Sequence, residues 1–201
     1  MRVLLTAYGP FGNFRENVSE EIIVDIFKSW RKTGCELGVL GMPVVWRLVE
    51  EILENAFEIL QPDLVLFLTH AAGYSMLTLE GKYFNVATGQ DELGEIHQGE
   101  IIKPDGAEYY LAKVPQLPLL VAYLRARKIP AIVSCSSQRM DYLCNFAGYL
   151  AGYWADKRAA EMRYLLLHIP PPEDLPYNVA IKGVWLTLDY LTDFLKQESS
   201  K

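Results

Sequence analysis

The chain has 201 residues, of which about half are apolar, and this suits a single domain, 1–201, with a substantial buried core. The formal net charge is -6 and no run of Lys or Arg exceeds two residues, which excludes the basic stripe that nucleic-acid binding normally requires. No stretch approaches the roughly 18 apolar residues of a membrane span. The apolar run near the start is also too short for the core of a signal peptide.

The cysteines and histidines limit the kinds of site that this chain can hold. There are three cysteines, an odd and small number, which predicts free thiols in a reducing, cytoplasmic location rather than a disulfide framework. The chain has three histidines and shows no CxxC or HExxH spacing, so we expect neither a metal site nor a cofactor. Any catalysis by this chain is therefore expected to rest on its side chains alone.

The predicted elements alternate between strands and helices along the chain. Apolar runs predict strands at residues 3–7, 37–45, 64–69, 77–87, 132–135 and 163–168. Amphipathic stripes predict helices at residues 22–27, 48–60, 119–127, 146–154 and 185–195. Asn17 and Glu20 have the spacing of a capping box before the first of these helices. Residues 89–106 are polar and predict a long loop, a kind of segment that often carries function. The alternation predicts an α/β fold, a three-layer α/β/α sandwich around a mainly parallel twisted sheet.

Cys144 is the candidate nucleophile because of its place in the chain. It lies in the segment 141–145 (DYLCN), at the predicted start of a helix. A helix N-terminus presents free N–H groups and a partial positive charge, and both favour a thiolate over a thiol. The alternative is a buried and unreactive cysteine, since free cysteines often behave as small hydrophobic side chains.

His168 and Glu80 are candidates for the other two members of a catalytic triad. His168 ends a predicted strand, and sites in parallel sheets form at the carboxyl ends of strands. Glu80 lies in apolar surroundings, where a buried carboxylate would need a partner such as a histidine N–H. The alternatives are a histidine that bonds only to the backbone and a glutamate that faces water. Together the residues suit nucleophilic catalysis, with Cys144 attacking, His168 moving the proton and Glu80 orienting the imidazole.

Short motifs along nearly the whole chain point to one family of enzymes. They are residues 4–12 (LLTAYGPFG), 61–63 (QPD) before an apolar strand, 78–80 (TLE) with Asn85 five residues later, 142–145 (YLCN) and 168–170 (HIP). With these motifs, in the order Glu, Cys, His, the chain resembles the type I pyroglutamyl peptidases, also called pyrrolidone-carboxylate peptidases. The resemblance implies a cysteine hydrolase that removes an N-terminal pyroglutamyl group from peptides or amides through a thioester.

The resemblance also implies where a substrate would bind. Tyr8 and Phe11 would stand where aromatic side chains enclose the lactam ring, and the backbone near His70 and Ala71 would bind the lactam amide. Asn85, in the glutamate motif, is a further predicted substrate-binding residue. From the residues alone, Phe11 could equally belong to the core and His70 to the surface at the end of a strand.

Polar residues around the expected triad depart from the family pattern. The family's arginine about ten residues after the glutamate, which would support an oxyanion, falls here on Gln90. A Gly-Arg pair before the glutamate is Gly73-Tyr74 in this chain. Arg139, shortly before Cys144, is the candidate to replace the missing cation, and the alternative is an ordinary surface arginine. These changes indicate an altered substrate or a weakened activity.

Three functions stay open from the sequence. The first is hydrolysis of pyroglutamyl amides, the second is hydrolysis or transfer of a different amide or ester acyl group, and the third is a weakly active or silent binding relative. The triad favours the first two, because a silent relative has no need of three dispersed catalytic residues. The expected partner is a small peptide or amide with a cyclic N-terminal group. Neither nucleic acid nor a membrane is expected as a partner, and a homodimer or homotetramer stays open.

Overall fold

The structure, a computed structural model, describes residues 1–13, 15–134, 142–158 and 161–198. Within these ranges the strands are β1 (Arg2–Tyr8), β2 (Glu36–Met42), β3 (Leu64–His70), β4 (Leu77–Glu80), β5 (Lys82–Phe84), β6 (Ala87–Gln90), β7 (Ile96–Gly99), β8 (Tyr109–Leu111), β9 (Ala131–Ser134) and β10 (Arg163–Ile169). The helices are α1 (Val18–Ser29), α2 (Trp46–Leu60), α3 (Leu117–Ala126), α4 (Leu143–Lys157) and α5 (Tyr177–Glu198). None of these helices has the length and apolar character that crossing a membrane requires.

The central sheet has six strands in the order β2-β1-β3-β10-β4-β9. The first four strands in this order are parallel to one another, as predicted. β4 runs antiparallel to β10, and β9 runs parallel to β4, so these two strands reverse the direction of the sheet. As a result, the carboxyl end of β10 lies beside the amino end of β4, and the last residue of β4, Glu80, pairs with Leu166 within β10.

Helices cover both faces of the sheet and confirm the predicted three-layer sandwich. On one face, α1, α3 and α5 bury apolar side chains such as Ile22, Leu120 and Leu188. On the other face, α2 and α4 contribute a second core that includes Leu53 and Phe146. The amphipathic stripes of the sequence therefore mark the helix faces that meet the sheet.

Strand alternation brings two of the candidate residues to the same face. Leu167 of β10 and Leu79 of β4 pack in the core under α1, α3 and α5, whereas Leu166 packs in the core under α2 and α4. Because successive side chains of a strand point to opposite faces, His168 and Glu80 face α4. This is the helix that carries Cys144.

Two sequence predictions of local structure need correction. The apolar run 77–87 forms the short strands β4 and β5 and the start of β6 instead of one strand. The predicted loop 89–106 contains the antiparallel hairpin β6–β7. Asp91 holds the turn of this hairpin, because its carboxylate accepts backbone hydrogen bonds from Leu93 and Glu95, both at 2.9 Å, and from Trp46 at the start of α2, at 3.1 Å. The polar residues of this segment thus close a turn and cap a helix.

Candidate active site

Glu80 and His168 form a buried, hydrogen-bonded pair. Oε1 of Glu80 lies 2.9 Å from Nδ1 of His168. The two residues are 2% and 4% exposed, so neither side chain has bulk water as its partner. The position of Glu80, which strand alternation left open, is therefore internal, and the carboxylate has the histidine partner that burial demands.

Cys144 approaches the same histidine from α4. It is the second residue of the helix, whose N-cap is Tyr142, and the carbonyl of Tyr142 accepts a hydrogen bond from the N–H of Phe146. The N–H of Cys144 thus belongs to the first turn, where helix N–H groups point outward and carry a partial positive charge. The side chain of Cys144 also acts on the imidazole of His168 and raises its pKa. Because Glu80 occupies Nδ1, Nε2 is the ring nitrogen that remains for Cys144.

Opposing influences set the pKa of His168. Burial lowers this pKa, whereas hydrogen bonds to Cys144 and Glu80 and the negative charges of both groups raise it, with a net pKa of about 9. The imidazole is therefore protonated at neutral pH, with one N–H directed at Glu80 and the other at Cys144. The thiolate is the nucleophilic form of a cysteine, and an imidazolium is a proton donor for the group that leaves. The three side chains can thus carry out attack followed by proton transfer.

A small cavity adjoins Cys144. Its volume is about 60 Å³. Its lining is largely aromatic and apolar, and consists of Tyr8, Phe11, Asn17, Val44, Thr69, His70, Tyr142, Leu143 and Cys144. Three of the predicted substrate residues, Tyr8, Phe11 and His70, are thereby brought together with the candidate nucleophile. A cavity of this size suits a small flat group, and aromatic faces favour such a group through stacking.

Tyr8 ties the cavity to the helix that carries Cys144. Its hydroxyl donates a hydrogen bond to the carbonyl of Leu143 at 2.7 Å, which joins the end of β1 to the start of α4. Burial, followed by the charges of Cys144 and Tyr142, raises the pKa of Tyr8 well above its ordinary value. The phenol therefore stays protonated and keeps its hydrogen bond throughout the working pH range.

His70 lines the cavity, whereas Ala71 does not. The ring of Phe11 meets the ring of His70 edge-on, with 6.1 Å between the centroids. Burial lowers the pKa of His70, and Glu173 opposes this effect, so the imidazole is neutral at neutral pH. The N–H of Ala71 donates to the carbonyl of Ile169 at 2.9 Å. The N–H of Ala71 is therefore already paired, and its carbonyl accepts a hydrogen bond from the N–H of Tyr74 at 3.3 Å. The contact of Ala71 with a lactam stays a prediction.

The side chains of Asn85 and Gln90 make their described hydrogen bonds outside the lining of the cavity, and their predicted roles stay predictions. The amide of Asn85 donates to the carbonyl of Ile102 at 3.0 Å and accepts from the N–H groups of Ile101 and Ile102, both at 2.9 Å, so it holds a loop in place. Gln90 is exposed, and its amide donates to the carbonyl of Gly94 at 3.1 Å in the β6–β7 turn. Neither residue belongs to the described lining of the cavity.

Among the described residues, the backbone N–H of Cys144, in the first turn of α4, is the candidate donor to an oxyanion. An N–H at a helix start suits a developing negative charge. Arg139, the predicted replacement for the family's arginine, lies outside the described residues, as does Cys135. The role of Arg139 stays a prediction.

Tyr74 is a neighbour of the triad that the sequence did not identify as functional. Its ring lies 5.2 Å from the ring of His168, centroid to centroid, at 49°. Burial, followed by the charges of Glu80 and Cys144, raises the pKa of Tyr74. The sequence did show that Tyr74 replaces the arginine of the family's Gly-Arg pair. It did not show that the ring of Tyr74 would contact the imidazole of His168.

Asn17 is a second residue whose relation to the site was missed. The sequence identified it as a helix cap, and its side-chain oxygen does accept from the N–H of Ser19 at 3.0 Å. Its amide also donates to the carbonyl of Gly9 at 3.0 Å, and the residue lines the cavity. A capping position carries no sequence signal for a pocket, so only the fold reveals this placement.

Comparison with known proteins places the chain in a family. Residues 1–183 match the family model described as pyroglutamyl peptidase. The pyrrolidone-carboxylate peptidase of Streptococcus pneumoniae is 32% identical over 177 residues, an alignment that covers 85% of this chain and 78% of that protein. The pyrrolidone-carboxylate peptidase of Alkaliphilus oremlandii is 29% identical over 172 residues, with 85% and 78% covered.

Solved structures share the fold over nearly the full length. A pyrrolidone carboxyl peptidase from Thermococcus litoralis matches with a TM-score of 0.88 at 23% identity, covering 98% of this chain and 96% of that one. A mutant pyrrolidone carboxyl peptidase from Pyrococcus furiosus matches with a TM-score of 0.88 at 24% identity, covering 97% and 100%. These findings confirm the resemblance read from the motifs: the chain belongs to the pyroglutamyl peptidase family.

Proposed function

We propose that the protein is a cysteine peptidase that removes an N-terminal pyroglutamyl group from peptides or amides. The observation that carries the proposal is the buried, hydrogen-bonded pair Glu80 and His168, whose imidazole pKa is raised by Cys144, a residue that lines a small cavity with aromatic side chains. Membership of the family supports this substrate class. The placement of Phe11 and His70 in the same cavity as Cys144 supports a site for a compact acyl group.

The first half of the proposed reaction forms a thioester. The thiolate of Cys144 attacks the carbonyl carbon of the pyroglutamyl group, and the oxygen becomes an oxyanion that the backbone N–H of Cys144 stabilises. The bond between carbon and the leaving nitrogen then breaks. His168 donates the proton from Nε2 to this nitrogen, so the rest of the peptide departs as a neutral amine.

The second half releases pyroglutamate. Neutral His168 now accepts a proton from water, and the resulting hydroxide attacks the thioester carbon. The bond from carbon to sulfur breaks, which returns Cys144 as a thiolate beside the imidazolium. Glu80 fixes the ring through Nδ1 during the cycle, so that Nε2 faces the reacting atoms.

A comparison of acyl groups tests the substrate. We expect release of aminomethylcoumarin from its pyroglutamyl amide but not from its prolyl or glutamyl amide, because the cavity suits a small uncharged ring with an amide. Turnover should be slow, since Gln90 brings no charge and its side chain serves the β6–β7 turn. Loss of one oxyanion donor typically costs about a hundredfold to a thousandfold in rate.

Two outcomes would count against the proposed substrate. Equal cleavage of the prolyl amide would show that the lactam carbonyl is not recognised. If the pyroglutamyl amide is not cleaved although Cys144 can still be alkylated, the substrate is instead a different amide or ester acyl group. The cytoplasmic location, the single catalytic domain over 1–201 and a homodimer or homotetramer remain predictions of this proposal.

A further inference from the structure

Tyr83 inserts its hydroxyl into the ladder between β4 and β10. The N–H of Leu166 donates to this hydroxyl at 2.9 Å, and the hydroxyl donates to the carbonyl of Glu80 at 3.1 Å. Leu166 and Glu80 are partners in the strand register. A side-chain hydroxyl therefore connects the two backbones at the last pair of β4, where the chain leaves the sheet.

We propose that Tyr83 is a positioning residue of the active site, a claim that rests on the hydrolase function proposed above. Its hydroxyl fixes the backbone of Glu80 against β10, and the carboxylate of Glu80 then meets His168 at the distance that orients the imidazole. Tyr83 does not belong to the described lining of the cavity, so it acts through Glu80 and not on the substrate.

The surroundings of Tyr83 are built to hold it in one place. The residue is 0% exposed, so its ring has no freedom to turn toward solvent. Gly148 of α4 leaves the space for the ring, because a Cβ at this position would collide with Tyr83. The ring thus occupies a slot between the sheet and the helix that carries Cys144.

A second set of hydrogen bonds ties the same segment to the nucleophile. The side chain of Asn145, the residue after Cys144, accepts from the N–H of Phe84 and donates to its carbonyl, both at 2.9 Å. It also donates to the carbonyl of Val86 at 2.8 Å. The residue after Tyr83 is therefore fixed to the start of α4, while Tyr83 is fixed to Glu80 and β10. Residues 80–86 link all three catalytic elements.

The hydroxyl can act as a donor at every working pH. Burial raises the pKa of Tyr83 well above its ordinary value, and the charges of Glu80 and Cys144 raise it further. The hydrogen bond from Leu166 lowers this pKa but does not offset the effect of burial. Without the hydroxyl, the N–H of Leu166 and the carbonyl of Glu80 lose their partner in a dry interior. Direct pairing of these two groups would draw the Glu80 backbone toward β10 and change the approach of its carboxylate to His168.

Tyr83→Phe tests the proposal by removing one oxygen atom. We expect kcat to fall about tenfold to a hundredfold with little change in KM, since a catalytic group misplaced by about 1 Å costs up to about a hundredfold. The pKa of His168, read from its ring resonances by NMR, should fall below its value in the unmutated protein, because the carboxylate that raises it is less well placed. The NMR reading needs no substrate, so it holds even if the proposed substrate is wrong.

Tyr164→Phe is the matched control. Tyr164 is also a buried tyrosine of the α4 face, its ring lies 5.9 Å from that of Tyr83, and its hydroxyl donates to the carbonyl of Leu111 at 2.8 Å. This variant loses a comparable hydrogen bond without contact with Glu80. We expect a similar loss of thermal stability, with kcat and the pKa of His168 unchanged.

The comparison of these variants can overturn the proposal. If Tyr83→Phe loses stability but keeps the kcat and the His168 pKa of the Tyr164→Phe control, Tyr83 has only a structural role. Gly148→Ala provides a second approach should Tyr83→Phe fail to fold, since the added methyl displaces the ring and leaves the hydroxyl in the chain. It should lower the pKa of His168 in the same direction, and an unchanged pKa would contradict the positioning role.

Discussion

Replacing Cys144 with Ala should reduce turnover of a pyroglutamyl amide by about six orders of magnitude, as expected for loss of a nucleophile that works as a unit with its base. The alanine removes the sulfur that would form the thioester, while the cavity beside it keeps its aromatic lining. The fold should survive, because Cys144 is only partly buried and lies in the first turn of α4. Steady-state assays of the purified variant, beside thermal denaturation, measure both expectations.

Cys35→Ala is the control for this substitution. Cys35 is a free and partly buried thiol that precedes β2 and packs against the core on the α1, α3 and α5 face, whereas Cys144 packs against the core on the other face of the sheet. The Cys35→Ala variant should leave turnover unchanged. Brief iodoacetamide treatment near neutral pH should also label Cys144 before the other two cysteines, since the thiolate is the reacting form. Full activity of Cys144→Ala, or faster labelling of Cys135, would remove the nucleophile role from Cys144.

Replacing Glu80 with Gln should lower kcat by about four orders of magnitude, the loss typical when the carboxylate that orients a catalytic histidine becomes an amide. The amide has the same shape but carries no charge, so it no longer stabilises the imidazolium. It can also present its NH₂ group to Nδ1, which favours the wrong tautomer. Substrate binding should change little, because Glu80 does not belong to the described lining of the cavity.

The pH dependence of kcat/KM in Glu80→Gln is a second test of the role of Glu80. In the unmutated protein the protonated form of His168 is lost as the pH rises through about 9, so kcat/KM should fall there. The charge of Glu80 contributes to the raised pKa, and its removal should shift the falling limb to lower pH. Glu51→Gln, an exposed change on α2, should leave the limb in place. If kcat/KM of Glu80→Gln still falls near pH 9, the result would contradict the pairing of Glu80 with His168.

Sequence reasoning could propose Glu80, Cys144 and His168 as a triad because their types and positions in the elements carry chemical meaning. Cys144 at a helix start and His168 at a strand end are visible as local patterns. The partner of Glu80 is not visible as a local pattern. Leu77 and Leu79 share one face of the strand, and their alternation does not show whether the opposite face, which carries Glu80, is buried. The reversal of β4 and β9 brings Glu80 beside β10, and strand direction leaves no mark in a short apolar run.

The predictions around the triad show the limits of transferred motifs. Asn85 and Gln90 occupy the expected positions in the chain, yet their side chains hold a loop and a hairpin turn. Tyr83 and Gly148 are complementary in size although they lie far apart in the sequence, and such a relation appears only in the folded protein. Local pattern predicts elements well, but the contacts that position a site depend on tertiary packing.

Trapping of the acyl-enzyme tests the central claim most directly. The protein is mixed with an activated pyroglutamyl ester, quenched in acid within the first turnover, digested and analysed by mass spectrometry. The account predicts a mass gain of one pyroglutamyl acyl group on the peptide that contains Cys144, with loss of this adduct on treatment with hydroxylamine. It predicts no adduct in Cys144→Ala. Turnover of the ester without an adduct on Cys144, or with the acyl group on another residue, would contradict the account.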